Sequence, residues 1–400
     1  MAKIIIENNK YAFRFRTGRK IPKKSDSTKL RPEYIHRSGF RTKKEAEEAL
    51  DVVKQQVKSG LRNDKQTFSE FVDSWLPIFS RNNSKGKSLS KRTLQNYQMI
   101  IEKHLKPFFG ETKIKDITFN DVEAYIDLKL VKGLSKQTVK HHYRLLALIA
   151  KAGVKRGVMT RNVVLEADCP QPDKLTLSEL EKQVLNRRDQ KLLRDTAREE
   201  SELDPSIHTM PRHMMIELGL ALGLRMSEVL ALKWGDIVTS TEKRDNQFVK
   251  LLKVQRALDG FGSFKSTKSE AGVRNIPLDG ELLQTLWQYK AWLDSYREGR
   301  SDWEDNDLII PTKNGTPADG RTKAQGIRSL FDRTRIEGSF HTLRHSCITN
   351  WLQSVPNIKL VSTLAGHSTV GITLDRYGHV LEENAISEMD NLYSTMRATS

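Results

Sequence analysis

Only two cysteines occur in 400 residues. Cys169 and Cys347 have neither metal-ligand nor disulfide-framework spacing, so the sequence predicts reduced thiols in a cytoplasmic protein. No apolar run approaches the roughly 18 residues that a membrane span needs, and Leu218–Leu224 amounts to a short buried segment. The opening MAKIIIENNK offers three isoleucines before Glu7, too few for a secretory signal. A GxxxxGK nucleotide loop, an HExxH helix and any Cys/His cluster are missing, so neither nucleotide, cofactor nor metal is expected. Apolar content of 37% with 29% charged residues excludes a disordered chain.

What the sequence has is positive charge. Lys and Arg total 67 against 50 Asp and Glu, a net of +17. Residues 1–60 hold 16 Lys and Arg and 7 Asp and Glu, a local net of +9 in the first sixth of the chain. A field of that sign attracts a polyanion through phosphate neutralisation and counterion release, which favours nucleic acid over a basic surface without a partner or an anionic membrane surface.

Three regions follow one another. In the first, Tyr11, Phe13 and Phe15 alternate with Ala12, Arg14 and Arg16, predicting a strand with one apolar and one basic face. A second strand is expected around Tyr34–His36, a turn at Ser38-Gly39, and a helix opened by the capping box Thr42–Glu45 and stopped near Gly60. A small sheet bearing Arg14 and Arg16 beside one helix suits a groove of DNA. The second region, about 67–172, reads as helices. Thr67–Glu70 is a capping box before Phe71, Trp75 and Phe79. Leu94, Tyr97, Ile101, Leu105 and Phe108 form a second stripe; Val122, Tyr125 and Ile126 a third; Val139, Tyr143, Leu146 and Ile149 a fourth. Lys136, Lys140 and Arg144 on the polar side of the fourth helix are candidate DNA contacts, with a solvated face as the alternative. Cys169-Pro170-Gln171-Pro172 reads as a linker.

The third region carries the chemistry. A helix near Arg212–Leu222 ends at Gly223, and Gly223-Leu224-Arg225-Met226-Ser227-Glu228 starts another. Strands are expected at Phe248–Gln255 and Val273–Pro277, flanking a turn rich in Gly and Lys, with helices resuming from Glu281. The segment Asp189–Pro211, long and highly charged, reads as a surface insertion. Then come His341-Thr342-Leu343-Arg344-His345, Leu364-Ala365-Gly366-His367, and Tyr377 ten residues on. Phosphodiester transfer needs a nucleophile, cationic donors for the growing negative charge and an acid for the departing oxygen. Arg225 and Arg344 each offer two parallel N–H bonds to a phosphate. His341 and Arg344 share a face if their segment is helical. Tyr377 is the candidate nucleophile, and because an unperturbed phenol is only about 0.1% ionised at neutral pH, another group must take its proton.

The order GLRxSE, lysine turn, HxLRH, GH and Tyr resembles the tyrosine recombinase, or phage integrase, family. The likeness is closest to integrases of conjugative transposons and phages that carry an N-terminal arm-binding domain. It implies a multidomain, mostly helical protein with small β-sheets. Residues 1–64 would be a β-sheet-plus-helix arm-type DNA-binding domain, 65–172 a helical, SAM-like core-binding domain, and 173–400 a mixed α+β catalytic domain. It also implies integration and excision of a mobile element through a 3′-phosphotyrosine and a Holliday junction, by a homotetramer on double-stranded DNA with core and arm sites. An excisionase and a DNA-bending host factor are expected partners.

By the same resemblance, Arg225, Lys268, His341, Arg344, His367 and Tyr377 fall on the catalytic positions. The arginines would hold the scissile phosphate, Lys268 protonate the 5′ oxygen, His341 act as base and His367 donate to the phosphate. The two histidine roles are interchangeable at this stage. Lys265 competes with Lys268 because the register of the turn is open, and Tyr393 is a second tyrosine near the end. Glu228 and His345, also in the motifs, read as structural. The helix expected at Leu381–Met396 could dock on a neighbouring protomer or pack within its own chain. A type IB topoisomerase-like enzyme and a non-catalytic DNA-binding regulator are the rival functions.

Overall fold

The computed structural model describes residues 3–7, 10–23, 26–58, 66–81, 88–173, 176, 179, 183–244, 247–266, 272–355, 357–378 and 389. Lys268, Gly60, Tyr393 and, Met389 apart, the expected C-terminal helix lie outside them. The chain divides into two compact units, Met1–Lys174 and Leu175–Ser400.

The first unit opens with an antiparallel sheet, β1 (Lys3–Glu7), β2 (Lys10–Lys23) and β3 (Asp26–Phe40), in the order β1-β2-β3. The isoleucines at the start, read from sequence only as too short for a signal, are β1. Ser38-Gly39 is not a turn. It lies within β3, where the register steps from Ala12↔Ser38 to Tyr11↔Phe40 and Gly39 takes φ +98°, a bulge that only glycine enters without strain. Helix α1 (Lys43–Lys58) packs Leu50 and Val53 on Phe13, and Phe13 stacks on Phe40 at 5.8 Å. Half of its expected capping box is made, with Glu45 N donating to Thr42 Oγ1 at 3.2 Å, while the Glu45 carboxylate reaches past Thr42 to accept from Arg41 N at 2.9 Å. Arg14 and Arg16 are exposed on β2, and the Arg14 guanidinium lies 4.4 Å over the Tyr34 ring. Ala12, expected on the basic face, is buried.

The helices that follow are α2 (Phe68–Arg81), α3 (Lys91–Ile100), a π-helical turn (Ile101–Leu105), α4 (Lys106–Phe109), α5 (Phe119–Val131) and α6 (Lys136–Lys155). They close on one core holding Phe71, Trp75, Ile101, Leu105, Tyr125, Val139 and Ile149, the residues the helical stripes select. Along α6 the ammonium of Lys136 meets Asp173 at 2.7 Å, and Lys140 donates to Gln171 at 2.5 Å. The polypeptide after Cys169 therefore lies along the face that carries the candidate DNA contacts, leaving Arg144 exposed.

The second unit contains α7 (Arg187–Leu203), α8 (Thr209–Leu222), the short α9 (Met226–Val229), a sheet ordered β4 (Ile237–Arg244), β5 (Gln247–Val254), β8 (Arg274–Pro277), and the hairpin β6 (Arg256–Leu258) with β7 (Phe264–Ser266). Helices α10 (Gly280–Arg297), α11 (Gly320–Thr334), α12 (Phe340–Ser354), α13 (Ile358–Ala365) and α14 (370–378) complete it. The segment read as a surface insertion is instead mostly α7. Its charges face out while Leu193 and Ala197 are buried in the main core with Met214 and Leu218 of α8. Charge density hid an amphipathic helix whose apolar stripe is narrow. Helices α8 and α12 cross where a Cβ on Gly219 would meet the Leu343 side chain at 3.0 Å. That close approach carries Arg344 into the interior.

A surface insertion would tolerate truncation, whereas Leu193 is fully buried. Leu193→Ala is expected to destabilise the chain by about 3 kcal/mol, read from the midpoint shift in urea unfolding.

Candidate active site

The motifs around Arg225, Arg344, His367 and Tyr377 come together in the second unit. Gly223 ends α8 in the left-handed conformation at φ +57° and turns the chain so that Arg225 becomes the residue preceding α9. The Gly223 carbonyl also accepts from Arg344 Nη1 at 2.5 Å. Arg225 donates from Nη1 to Glu228 Oε1 at 2.8 Å and from Nη2 to the Gly366 carbonyl at 2.9 Å. Its side chain keeps 39% exposure, so it is the arginine of the site open to solvent. Arg344 is 2% exposed, and its Nη2 donates to the Ala365 carbonyl at 2.6 Å.

Glu228 is buried and bridges Arg225 to Arg274, whose Nη2 lies 3.0 Å from Glu228 Oε2. Burial pushes the Glu228 carboxyl up, but the hydrogen bond and charge of Arg274, with those of Arg225, outweigh it and hold the group below its usual range. Burial pulls Arg344 down to about 10, leaving it charged at neutral pH.

Helix α12 begins at Ser339, whose hydroxyl caps His341 N, so His341, Arg344 and His345 share one face, as three- and four-residue spacing requires. The rings of His341 and His345 meet edge to face at 4.5 Å. His345 Nδ1 lies 2.5 Å from the Tyr377 hydroxyl, and its Nε2 is buried without a partner among the described residues. Tyr377, on α14, is 2% exposed. Burial raises its phenol to about 12, with Arg344 and Arg376 pulling the other way. His367 follows Gly366 at the end of α13, and its Nδ1 is 2.8 Å from Thr373 Oγ1. Desolvation first and nearby guanidiniums second bring His341 and His367 down to about 4 and His345 to about 3. All three imidazoles are therefore neutral at pH 7.

Of the six sequence candidates, Arg225, Arg344 and His367 meet at the α13 terminus, while His341 and Tyr377 both adjoin His345. Lys268 lies outside the described residues. Its competitor Lys265 sits in β7, 3.2 Å from Asp259 of its own hairpin. Two residues were undervalued by sequence reasoning. His345 was read as structural but holds the candidate nucleophile, and its position four residues after His341 was the available signal. Arg274 was passed over, although it alternates with Ile276 on the buried face of β8.

Residues 183–384 match the phage integrase family, and residues 67–130 match the phage integrase N-terminal SAM-like domain. The chain belongs to the phage integrase family. Membership places it among the tyrosine site-specific recombinases. It is 22% identical over 371 residues to the "Tyrosine recombinase XerC-like" of Caldanaerobacter subterraneus subsp. tengcongensis, covering 88% of this chain and 90% of that protein. With the ICEBs1 integrase of Bacillus subtilis it shares 23% identity over 309 residues, 74% of this chain and 76% of that one. Among solved structures, the Tn1549 transposon integrase in complex with transposon right end DNA has the same fold, with a TM-score of 0.62 and 19% identity over 82% of this chain and 100% of that one. A lambda integrase dimer bound to a COC′ core site gives a TM-score of 0.55 at 17% identity over 94% of both chains. No helix among the described residues is long and apolar enough to cross a membrane.

The three depressed histidines also give this integrase-family domain a pH signature. Their folded-state values lie below the unfolded value of about 6.5, so the unfolded chain binds more protons between the two. Their contribution to stability is present above pH 6.5 and is lost as pH falls toward 4. Imidazole NMR signals of His341, His345 and His367 are expected to stay flat from pH 8 to pH 5, with Tm falling on acidification. Titration of these rings near pH 6.5 in the folded protein would contradict the burial described.

Proposed function

We propose that this chain is an integrase that inserts and excises a mobile element by cutting and rejoining DNA through a covalent bond at Tyr377. The observation that carries the reading is the convergence of Arg225 and Arg344 on the adjacent carbonyls of Gly366 and Ala365, beside His367. Three guanidiniums, Arg225, Arg274 and Arg344, gather around one buried carboxylate, Glu228, and the carbonyl end of a helix. The surplus positive charge suits an anion, and a phosphodiester gains negative charge as it reacts.

In this mechanism Arg225 and Arg344 hold the scissile phosphate and His367 donates a further hydrogen bond. Tyr377 oxygen bonds to phosphorus, the bond from phosphorus to the 5′ oxygen breaks, the phenol proton passes to the neutral His341, and Lys268 protonates the departing oxygen. No nucleotide is consumed, because the ester to Tyr377 keeps the bond energy for rejoining. The phenol starts buried against His345, so it must leave that contact to react. Rejoining with a partner strand, one strand from each duplex at a time, proceeds through a Holliday junction within four protomers.

The division of labour follows the three regions. Residues 1–64 bind arm sites with Arg14 and Arg16, 65–172 clamp the core site with Lys136, Lys140 and Arg144, and 173–400 carry the chemistry. For Lys136 and Lys140 to reach DNA, Asp173 and Gln171 must release them. An excisionase and a DNA-bending host factor would set direction, and the protein would act in the cytoplasm on a phage or conjugative element.

A nicked suicide substrate carrying the element's end, incubated in EDTA and run on a denaturing gel, tests this. The wild type is expected to form a covalent protein–DNA adduct and Tyr377→Phe none. An adduct from both would move the nucleophile, with Tyr393 next in line. Tight specific binding without any adduct would favour a DNA-binding regulator, and a strict magnesium requirement for cleavage would sink the mechanism.

A further inference from the structure

Three guanidiniums from three separate segments end on three successive carbonyls at the C-terminus of α13. Arg274 Nε donates to Leu364 at 2.6 Å, Arg344 Nη2 to Ala365 at 2.6 Å and Arg225 Nη2 to Gly366 at 2.9 Å. Those are carbonyls that a helix leaves without intrahelical partners, at the negative end of its dipole. Two of the three arginines are the proposed phosphate ligands. Arg274 differs from them in combining near-complete burial, which Arg344 shares, with guanidinium bonds to both oxygens of Glu228, where Arg225 bonds one. Its side chain is 3% exposed. Its donors are committed to Leu364, to Gly272 at 3.2 Å and to both oxygens of Glu228 at 3.3 and 3.0 Å. To touch DNA it would have to abandon a buried carboxylate, which is strongly unfavourable.

We infer that Arg274 is a positioning residue for DNA cleavage, fixing Arg225 through their shared Glu228 and His367 through the Leu364–Gly366 backbone without itself contacting the phosphate. Gly366 supports this assignment. It takes φ +67°, and a Cβ there would stand 2.7 Å from Arg274 Nη1 and 3.0 Å from Cζ. The glycine before His367 thus leaves room for the Arg274 guanidinium as well as ending the helix. At its other side Arg274 grips Gly272, the first described residue after the segment that carries Lys268. One buried side chain is therefore tied to a proposed phosphate ligand, to the backbone before a proposed phosphate donor, and to Gly272, where the described chain resumes after Lys268.

The inference rests on the recombinase reading above, and its test separates the two. Single-turnover adduct formation by the full chain is measured on a nicked core-site duplex with either an ordinary phosphodiester or a neutral methylphosphonate at the scissile position. On the phosphodiester, Arg274→Met is expected to lose about 100-fold in adduct rate, the scale of a misplacement of order 1 Å, with core-site affinity unchanged. On the methylphosphonate the loss is expected to shrink to about 10-fold or less, because little negative charge remains for aligned guanidiniums to meet. Arg274→Lys is expected to fall between Arg274→Met and wild type, and it carries the same comparison should Arg274→Met fail to fold. Equal losses on both substrates would mean general destabilisation and overturn the inference, as would cleavage at the wild-type rate. No adduct from the wild type would fault the recombinase reading instead. Arg274 is then judged by NMR on Arg274→Lys: the Arg225 Nε–H and His367 ring signals move if it positions them, and unmoved signals overturn the inference.

Discussion

Burying a guanidinium without partners is prohibitively unfavourable, and the catalytic unit is organised around meeting that demand. Arg344 and Arg274 are almost wholly buried, and between them they take Glu228 and the carbonyls of Gly223, Gly272, Leu364 and Ala365. Those acceptors lie on α9, on the end of α8, before β8 and at the end of α13. Satisfying two side chains therefore draws together segments that are far apart in sequence. Two helix ends in the left-handed conformation, at Gly223 and Gly366, aim their carbonyls accordingly. Arg225 completes the set but stays partly open, which gives the cluster one face toward solvent and toward an anion.

The same burial governs the groups expected to move protons. His341, His345 and His367 are neutral because desolvation and the surrounding guanidiniums oppose a further positive charge. A neutral imidazole accepts a proton, as a partner of a phenol must. Tyr377 sits at the opposite extreme, its proton held more tightly than in water because the charged form would be desolvated. The resting arrangement thus pairs a reluctant nucleophile with imidazoles that are unprotonated but weak bases, since the same guanidiniums oppose the charge a transferred proton would bring. In the first unit, lysines on α6 are likewise engaged by their own chain, through Asp173 and Gln171.

Much of this was legible before any coordinates. The helix cap at Thr42, the capping box at Thr67, the stripes through Phe71 and Tyr125, and the shared face of His341 and Arg344 all follow from local periodicity, which sequence spacing states directly. The failures share a cause. Asp189–Pro211 was misread because its charges outnumber the few apolar residues that anchor α7. At Gly39 the expected turn is a bulge within a strand, because glycine serves bulges and turns alike. His345 and Arg274 were undervalued because their importance lies in partners on other segments, Tyr377 and the carbonyls near residue 364.

By itself, the sequence determined the family, the helical and strand periodicities, the excess positive charge and which residue types could attack or bind a phosphate. Each of these depends on composition or on neighbours within a turn or two. The tertiary structure alone decided that the Tyr377 hydroxyl rests on His345, that Arg274 shares Glu228 with Arg225, and that three arginines close on three consecutive carbonyls. Such contacts are set by how buried polar groups find partners when the core closes, and chain separations as long as that between Arg225 and Gly366 leave no local trace of them.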